Sequence, residues 1–186
     1  MAETRRVKLT KRMIRDAFIE LLRKKPIGKI TVTQICEAAD VNRSTFYAYY
    51  DSVYALLKEI EDTMLQRIPK PAKDFTDANT KEYLEELVVF FEYIKKHHDT
   101  FAVLIVNSGD GNFNQRLTDS LFHTMLSTDI VKQSFYSKLG YVFSVNGVIG
   151  MIKEWIENDF PITSREFADT ALQMSMHANE VIYRKE

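Results

Sequence analysis

Within the seven residues from Arg43 to Tyr49, the chain offers one guanidinium (Arg43), two aliphatic hydroxyls (Ser44, Thr45) and two phenols (Tyr47, Tyr49), and Thr33 adds a hydroxyl ten residues earlier. These groups suit a polyanion with hydrogen-bonding edges. A guanidinium pairs bidentately with guanine in a major groove, while hydroxyls and phenols donate to phosphate oxygens. Bond-making chemistry has much less support. The patch Ser108–Gly111 lacks the following Lys and Ser/Thr of a phosphate loop. His97 and His98 are adjacent and diverge on a helix, and His123 and His177 stand alone, so no His/Cys/Asp/Glu set has metal-ligand spacing. Carboxylate pairs such as Glu85–Glu86 read as a solvated face. No catalytic residue, metal or cofactor is expected.

The elements that must position these groups are marked by local signals. Thr31 is an N-cap with Gln34 at the third helical position, a capping box, and Ile30 and Ile35 flank it at staple spacing. Asn42 is a second strong N-cap, with Val41 and Phe46 as its staple pair. Only Asp40 and Val41 separate the first helix, ending near Ala39, from the second cap. Helices joined so closely cross steeply, as in a helix-turn-helix. Ile35, Ala38, Ala39, Val41 and Phe46 are expected to close the crossing. Arg43, Ser44, Thr45, Tyr47 and Tyr49 remain near the start and outer face of the second helix, the end that enters the major groove in this motif.

The segment Ile30–Leu57 resembles the DNA-binding segment of the TetR family of bacterial transcription regulators. The residues that carry the resemblance are Thr33, Val41, Thr45, Tyr47, Tyr49, Tyr50, Leu56 and Leu57. It implies three helices for DNA, then a regulatory body whose last two helices pair with their copies. This chain departs from the pattern at two positions. Asp40 stands at the turn glycine, where a left-handed backbone costs it some free energy. Val53 stands where the family opens its fourth helix with Lys, so one phosphate contact is missing.

The charge is divided along the chain. Residues 1–50 hold 11 Lys/Arg against 5 Asp/Glu, and residues 51–186 hold 14 against 21, although the net charge is only −1. Such asymmetry points to a polyanion at the first end, and Arg5–Lys8 is expected to act as a flexible basic arm. Cys36 is the only cysteine and excludes an intrachain disulfide. This fits a reducing cytosol, and the position favours core packing over redox sensing. Neither a leader peptide nor a membrane span is read from the sequence, and a cytoplasmic location is expected.

Outside that segment the chain also reads as helical, which makes the fold class all-α. Thr10, with Leu9 and Ile14 as staple, is expected to cap the first helix; Ser52 or Asp51 starts the fourth. Pro69–Asn79 is a loop and domain seam. Helices then open at Asn79, at Asp99 and near Phe113, a long one covers Val131–Asn158, and the capping box Thr163/Glu166 starts the last. The long helix has more apolar surface than one face needs. Gly147 and Gly150 lie inside it, at a cost of up to about 1 kcal/mol each against alanine, which suggests close approach of another backbone. Phe91, Phe101, His123, Asn146 and Trp155 are candidates to line an apolar ligand cavity, with His123 or Asn146 as its polar handle.

The resulting reading has a helix-turn-helix DNA-binding domain at 1–51 and a helical ligand-binding and dimerisation domain at 52–186. The protein is read as a homodimeric repressor on a palindromic double-stranded DNA operator, released by a small apolar effector, with no membrane partner. One alternative keeps the DNA head but gives the body a partner protein, as a coactivator or protein-responsive regulator. An enzyme is the remote alternative.

Overall fold

The computed structural model describes residues 4–70, 76–106, 112–126 and 135–183. They form nine α-helices, and no strand occurs among the described residues. Helix α1 spans Arg5–Leu22, and a 3₁₀ turn at Ile27–Lys29 leads to α2 (Val32–Ala38) and α3 (Arg43–Tyr47). Helix α4 (Val53–Leu65) continues into the body. There, α5 (Asp77–Lys96), α6 (His98–Phe101, prolonged by a π-helical turn at Ala102–Val106), α7 (Asn112–Leu126), α8 (Phe135–Glu157) and α9 (Ser164–Tyr183) follow.

The short helices are set by their caps. Thr31 and Gln34 form the reciprocal capping box, the Asn42 side chain accepts from the Thr45 amide at 2.8 Å, and Ser52 accepts from that of Ala55 at 3.1 Å. Asp40 adopts φ 51°, and the Val41 amide reaches back to the Cys36 carbonyl at 3.0 Å, so the turn is left-handed despite its side chain. The Thr163/Glu166 box opens α9 through both reciprocal bonds.

Five expectations on the elements are corrected. Helix α5 starts at Asp77 with Thr76 as N-cap, so Asn79 lies inside its first turn and the preceding loop is shorter than Pro69–Asn79. Helix α1 starts at Arg5 with Thr4 as N-cap, so Arg5–Lys8 is its first turn and no arm. Nothing in that stretch breaks a helix, and Thr10 instead bonds its hydroxyl to the Arg6 carbonyl. Ala38 is exposed, because Ile35, Cys36 and Ala39 take the inner face of α2. Asp99 lies within α6 rather than capping it, and accepts from Arg23 of α1 at 2.8 Å. Val53 is 8% exposed and belongs to the core, so a lysine there would meet apolar neighbours before it met phosphate.

One apolar core runs from Ile14 and Phe18 in α1, through Phe46, Leu56 and Ile60, to Phe91, Trp155 and Ala171 in the body. Helix α9 packs against both α5 and α8, while α7 contacts α4 and α8. Trp155 stacks on Phe167 at 4.4 Å and meets Phe91 and Phe160 edge-on, and its indole N–H donates to the Ile162 carbonyl at 3.0 Å.

Candidate functional site

Helix α2 carries Thr33 and packs against α3, which carries or adjoins the other polar groups of the head. Thr33, Arg43 and Ser44 are exposed, Tyr47 is 47% exposed, and Thr45 and Tyr49 are half-buried. Phe46, fully buried beneath them, anchors α3 and meets Tyr47 and Tyr50 ring to ring. The Arg43 guanidinium lies 6.0 Å from the Tyr47 ring, an arrangement that steadies both while leaving the guanidinium edge outward. The Ser44 and Thr45 hydroxyls both donate to Asn42 Oδ1, at 2.6 and 2.8 Å, and a hydroxyl that turns to a phosphate exchanges this bond for one to the phosphate oxygen. The Lys11 ammonium sits 5.7 Å above the Tyr49 ring and brings positive charge from α1 to the same region, a contribution the sequence reading missed. Cys36 is buried, and burial pushes its thiol up from the ordinary range.

Helix α4 joins this surface to the body through charge. Glu59 pairs with Arg15 of α1, and Glu61 and Asp62 pair with Arg116 of α7. Glu61 is 4% exposed, and the Arg116 guanidinium compensates its buried carboxylate. Burial and the adjacent Glu59 carboxylate push the Tyr50 phenol up to about 12.

The body holds a cavity of about 210 Å³ that is partly open to its surroundings. Its walls are Met64, Leu65 and Ile68 at the end of α4, Tyr83, Leu87, Phe90, Phe91 and Ile94 of α5, Phe101 and Ile105, Phe113, Leu117 and Leu121 of α7, and Tyr141, Ser144, Val145, Val148, Ile149 and Ile152 of α8, with Ala171, Leu172, Ser175 and Met176 of α9. Phe91 and Phe101 thus line it. Asn146 does not: one helical step past Val145, it turns outward, is exposed, and donates to the Val142 carbonyl at 2.8 Å. Trp155 also falls outside the lining, because its ring is consumed by the stack with Phe167. The side chain of His123 lies outside the described residues. The polar groups that do reach the cavity are Tyr83, Tyr141, Ser144 and Ser175, and the α8 wall repeats at helical spacing, a signal the sequence carried but which several faces of α8 could have satisfied.

Two family models match. Residues 14–60 match the bacterial regulatory proteins of the tetR family, and residues 78–177 match a transcriptional regulator C-terminal region, more than half of the chain. The chain belongs to the TetR family of bacterial transcription regulators. It is 23% identical over 110 residues to YxbF of Bacillus subtilis (strain 168), described as an uncharacterized HTH-type transcriptional regulator; the match covers 57% of this chain but 28% of that protein. A TetR transcriptional regulator from Streptococcus agalactiae 2603V has 29% identity and a TM-score of 0.63, with 92% of this chain and 96% of that one covered. The dihydroxyacetone kinase operon activator DhaS matches with a TM-score of 0.57 over 92% and 97% of the two chains, and at 16% identity it shows the fold alone. The relatives are regulators, not enzymes.

In this TetR-family chain, α8 leaves a second apolar face open. Phe135 is 71% and Phe143 69% exposed, Leu139 and Val142 of the same helix are exposed too, and so is Met174 of α9. Gly147 and Gly150 continue the stripe, and an added Cβ at either would meet nothing within 4 Å among the described residues. No helix among the described residues is long and apolar enough to cross a membrane, and no group of three or more His, Cys, Asp or Glu could hold a metal ion.

Proposed function

We propose that this TetR-family regulator is a homodimeric repressor of a palindromic operator, released when a small apolar effector fills the body cavity. The observation that carries the reading is the position of α4. Its first turn, with Val53, Leu56 and Leu57 buried, packs under the head, and its last turn supplies Met64 and Leu65 to the cavity wall. A ligand there touches the helix that sets the head. It shifts DNA affinity if it binds the DNA-competent and incompetent shapes unequally. The division of labour falls at residue 52, with 1–51 reading DNA and 52–186 holding ligand and partner copy.

Arg43 is assigned a guanine edge, Tyr47, Tyr49 and Thr33 phosphates, and Ser44 and Thr45 either. The exposed stripe Phe135, Leu139, Phe143, Gly147 and Gly150 supports an isologous pairing of α8 and α9 with their copies. Two heads related by a two-fold axis match two half-sites of a palindrome.

The test starts from DNA fragments selected by the purified protein. Sedimentation is expected to give a dimer at micromolar concentration. Gly150→Leu, which fills the gap left for the second backbone, is expected to shift it toward monomer by about 1–3 kcal/mol at unchanged helical content. A monomeric wild type bound to its operator refutes the symmetric model. Operator release by a cellular protein, with no response to any small molecule, would replace the effector reading with the protein-responsive one.

A further inference from the structure

The cavity wall restricts what can fill it. Among the described residues that line it there is no Asp, Glu, Lys, Arg or His. An anionic ligand would therefore lose its hydration without gaining a cation. Burial, aided by the neighbouring Glu86, pushes the Tyr83 phenol up to about 12, and burial with the Tyr83 charge raises Tyr141 as well. The surroundings that oppose a phenolate oppose a carboxylate for the same reason.

Of the two serines on this wall, one departs from a common helical pattern. Serine and threonine within helices commonly bond the carbonyl four residues back. Ser175, also on the wall, does so to Ala171 at 2.8 Å, as Thr63 does to Glu59 and Thr118 to Asn114. The Ser144 hydroxyl is buried and has no hydrogen-bond partner among the described residues. A buried hydroxyl left unpaired is costly, and a ligand oxygen at that point removes the cost. Size sets the third limit. A cavity of about 150 Å³ lined by apolar side chains holds benzene, so this one, at about 210 Å³, suits a ligand of roughly eight to ten non-hydrogen atoms.

We propose that the cavity takes a compact, uncharged apolar molecule bearing one hydroxyl or carbonyl oxygen, which accepts a hydrogen bond from Ser144. The inference rests on the effector reading of this cavity. The ligand class is a medium-chain alcohol, a small phenol or a ketone, and a carboxylate buried among these side chains is disfavoured by its charge.

The experiment is calorimetric titration of the full chain with n-octanol, n-octanoate and n-octyl chloride at neutral pH, followed by operator binding with each probe present. Octanol is expected to bind at least about tenfold more tightly than octanoate and about fivefold more tightly than octyl chloride. Ser144→Ala should erase the preference for the alcohol over the chloride, whereas Ser175→Ala, whose hydroxyl already has the Ala171 carbonyl, should keep it. Melting curves identify any variant that fails to fold. Octanoate binding as tightly as octanol overturns the uncharged class, and an unchanged preference in Ser144→Ala overturns the role of that hydroxyl. Failure of all three probes to bind overturns the cavity reading itself. Octanol that binds as expected without altering operator affinity supports this ligand chemistry and overturns only the effector role.

Discussion

The helices that carry Thr33 and Arg43 are 7 and 5 residues long, whereas α5, α8 and α9 in the body run to 20, 23 and 20. Isolated helices as short as the first pair are unstable in water. Each is therefore held at both levels at once, by a side-chain cap at its start and by a fully buried residue, Ile35 or Phe46, beneath it. The body helices are long enough to present several faces, so α8 fronts a cavity on one side and leaves Phe143 and Gly150 outward on another. The head presents polar side chains from short helices, each held twice. The body lines an apolar cavity and presents an apolar stripe from different faces of one helix.

The strongest way to break this contrast is to remove one anchor from each region. Phe46→Ala and Trp155→Ala each delete a buried aromatic, at about 3–5 kcal/mol. If the platform depends on its single anchor, Phe46→Ala should abolish operator binding while sedimentation still reports the wild-type assembly. Trp155→Ala should lower the melting temperature and weaken the assembly. Identical loss of both properties in both variants would mean that the continuous core makes head and body one cooperative unit.

A smaller effect sharpens the account of the platform. Arg43→Ala should reduce affinity for the selected operator by about 1–3 kcal/mol, with a clearly smaller loss on random DNA, measured by fluorescence anisotropy at fixed salt. Equal losses on both would reduce Arg43 to a phosphate contact. The smallest effect concerns the turn. Asp40 holds φ 51°, a conformation that costs an L-residue about 1 kcal/mol and glycine almost none. Asp40→Gly should therefore stabilise the chain by up to about 1 kcal/mol in chemical denaturation, with the operator preference unchanged. Destabilisation would show that the aspartate side chain stabilises the turn itself.

These outcomes also bear on how much was legible beforehand. The caps at Thr31, Asn42 and Thr163 follow from bonds between residues a few positions apart and were readable from the sequence, whereas the fourth start was left between Ser52 and Asp51 and the left-handed turn at Asp40 came from the family resemblance. Thr10 misled because a threonine with the right neighbours is also compatible with a helix interior, and only the continuation to Arg5 decides between them. Phe91 and Phe101 were readable as cavity candidates, since large apolar side chains at helical spacing must face inward. Which inward direction they share was not.

By itself, then, the sequence determined the helical class, most helix starts in the head, and the polar outer surface of α3, because those depend on hydrogen bonds and side-chain periodicity within one or two turns. Only the tertiary structure decided that Ser144 fronts the cavity while Asn146, two residues on, faces solvent, and that Trp155 closes a stack instead of lining a pocket. A helix apolar on several sides fits its neighbours in more than one rotation. The rotation of α8 follows from packing against α7 and α9, and the seat of α7 is fixed by pairs such as Arg116 with Glu61, separated by 55 positions. Contacts over that distance leave no local pattern in the chain.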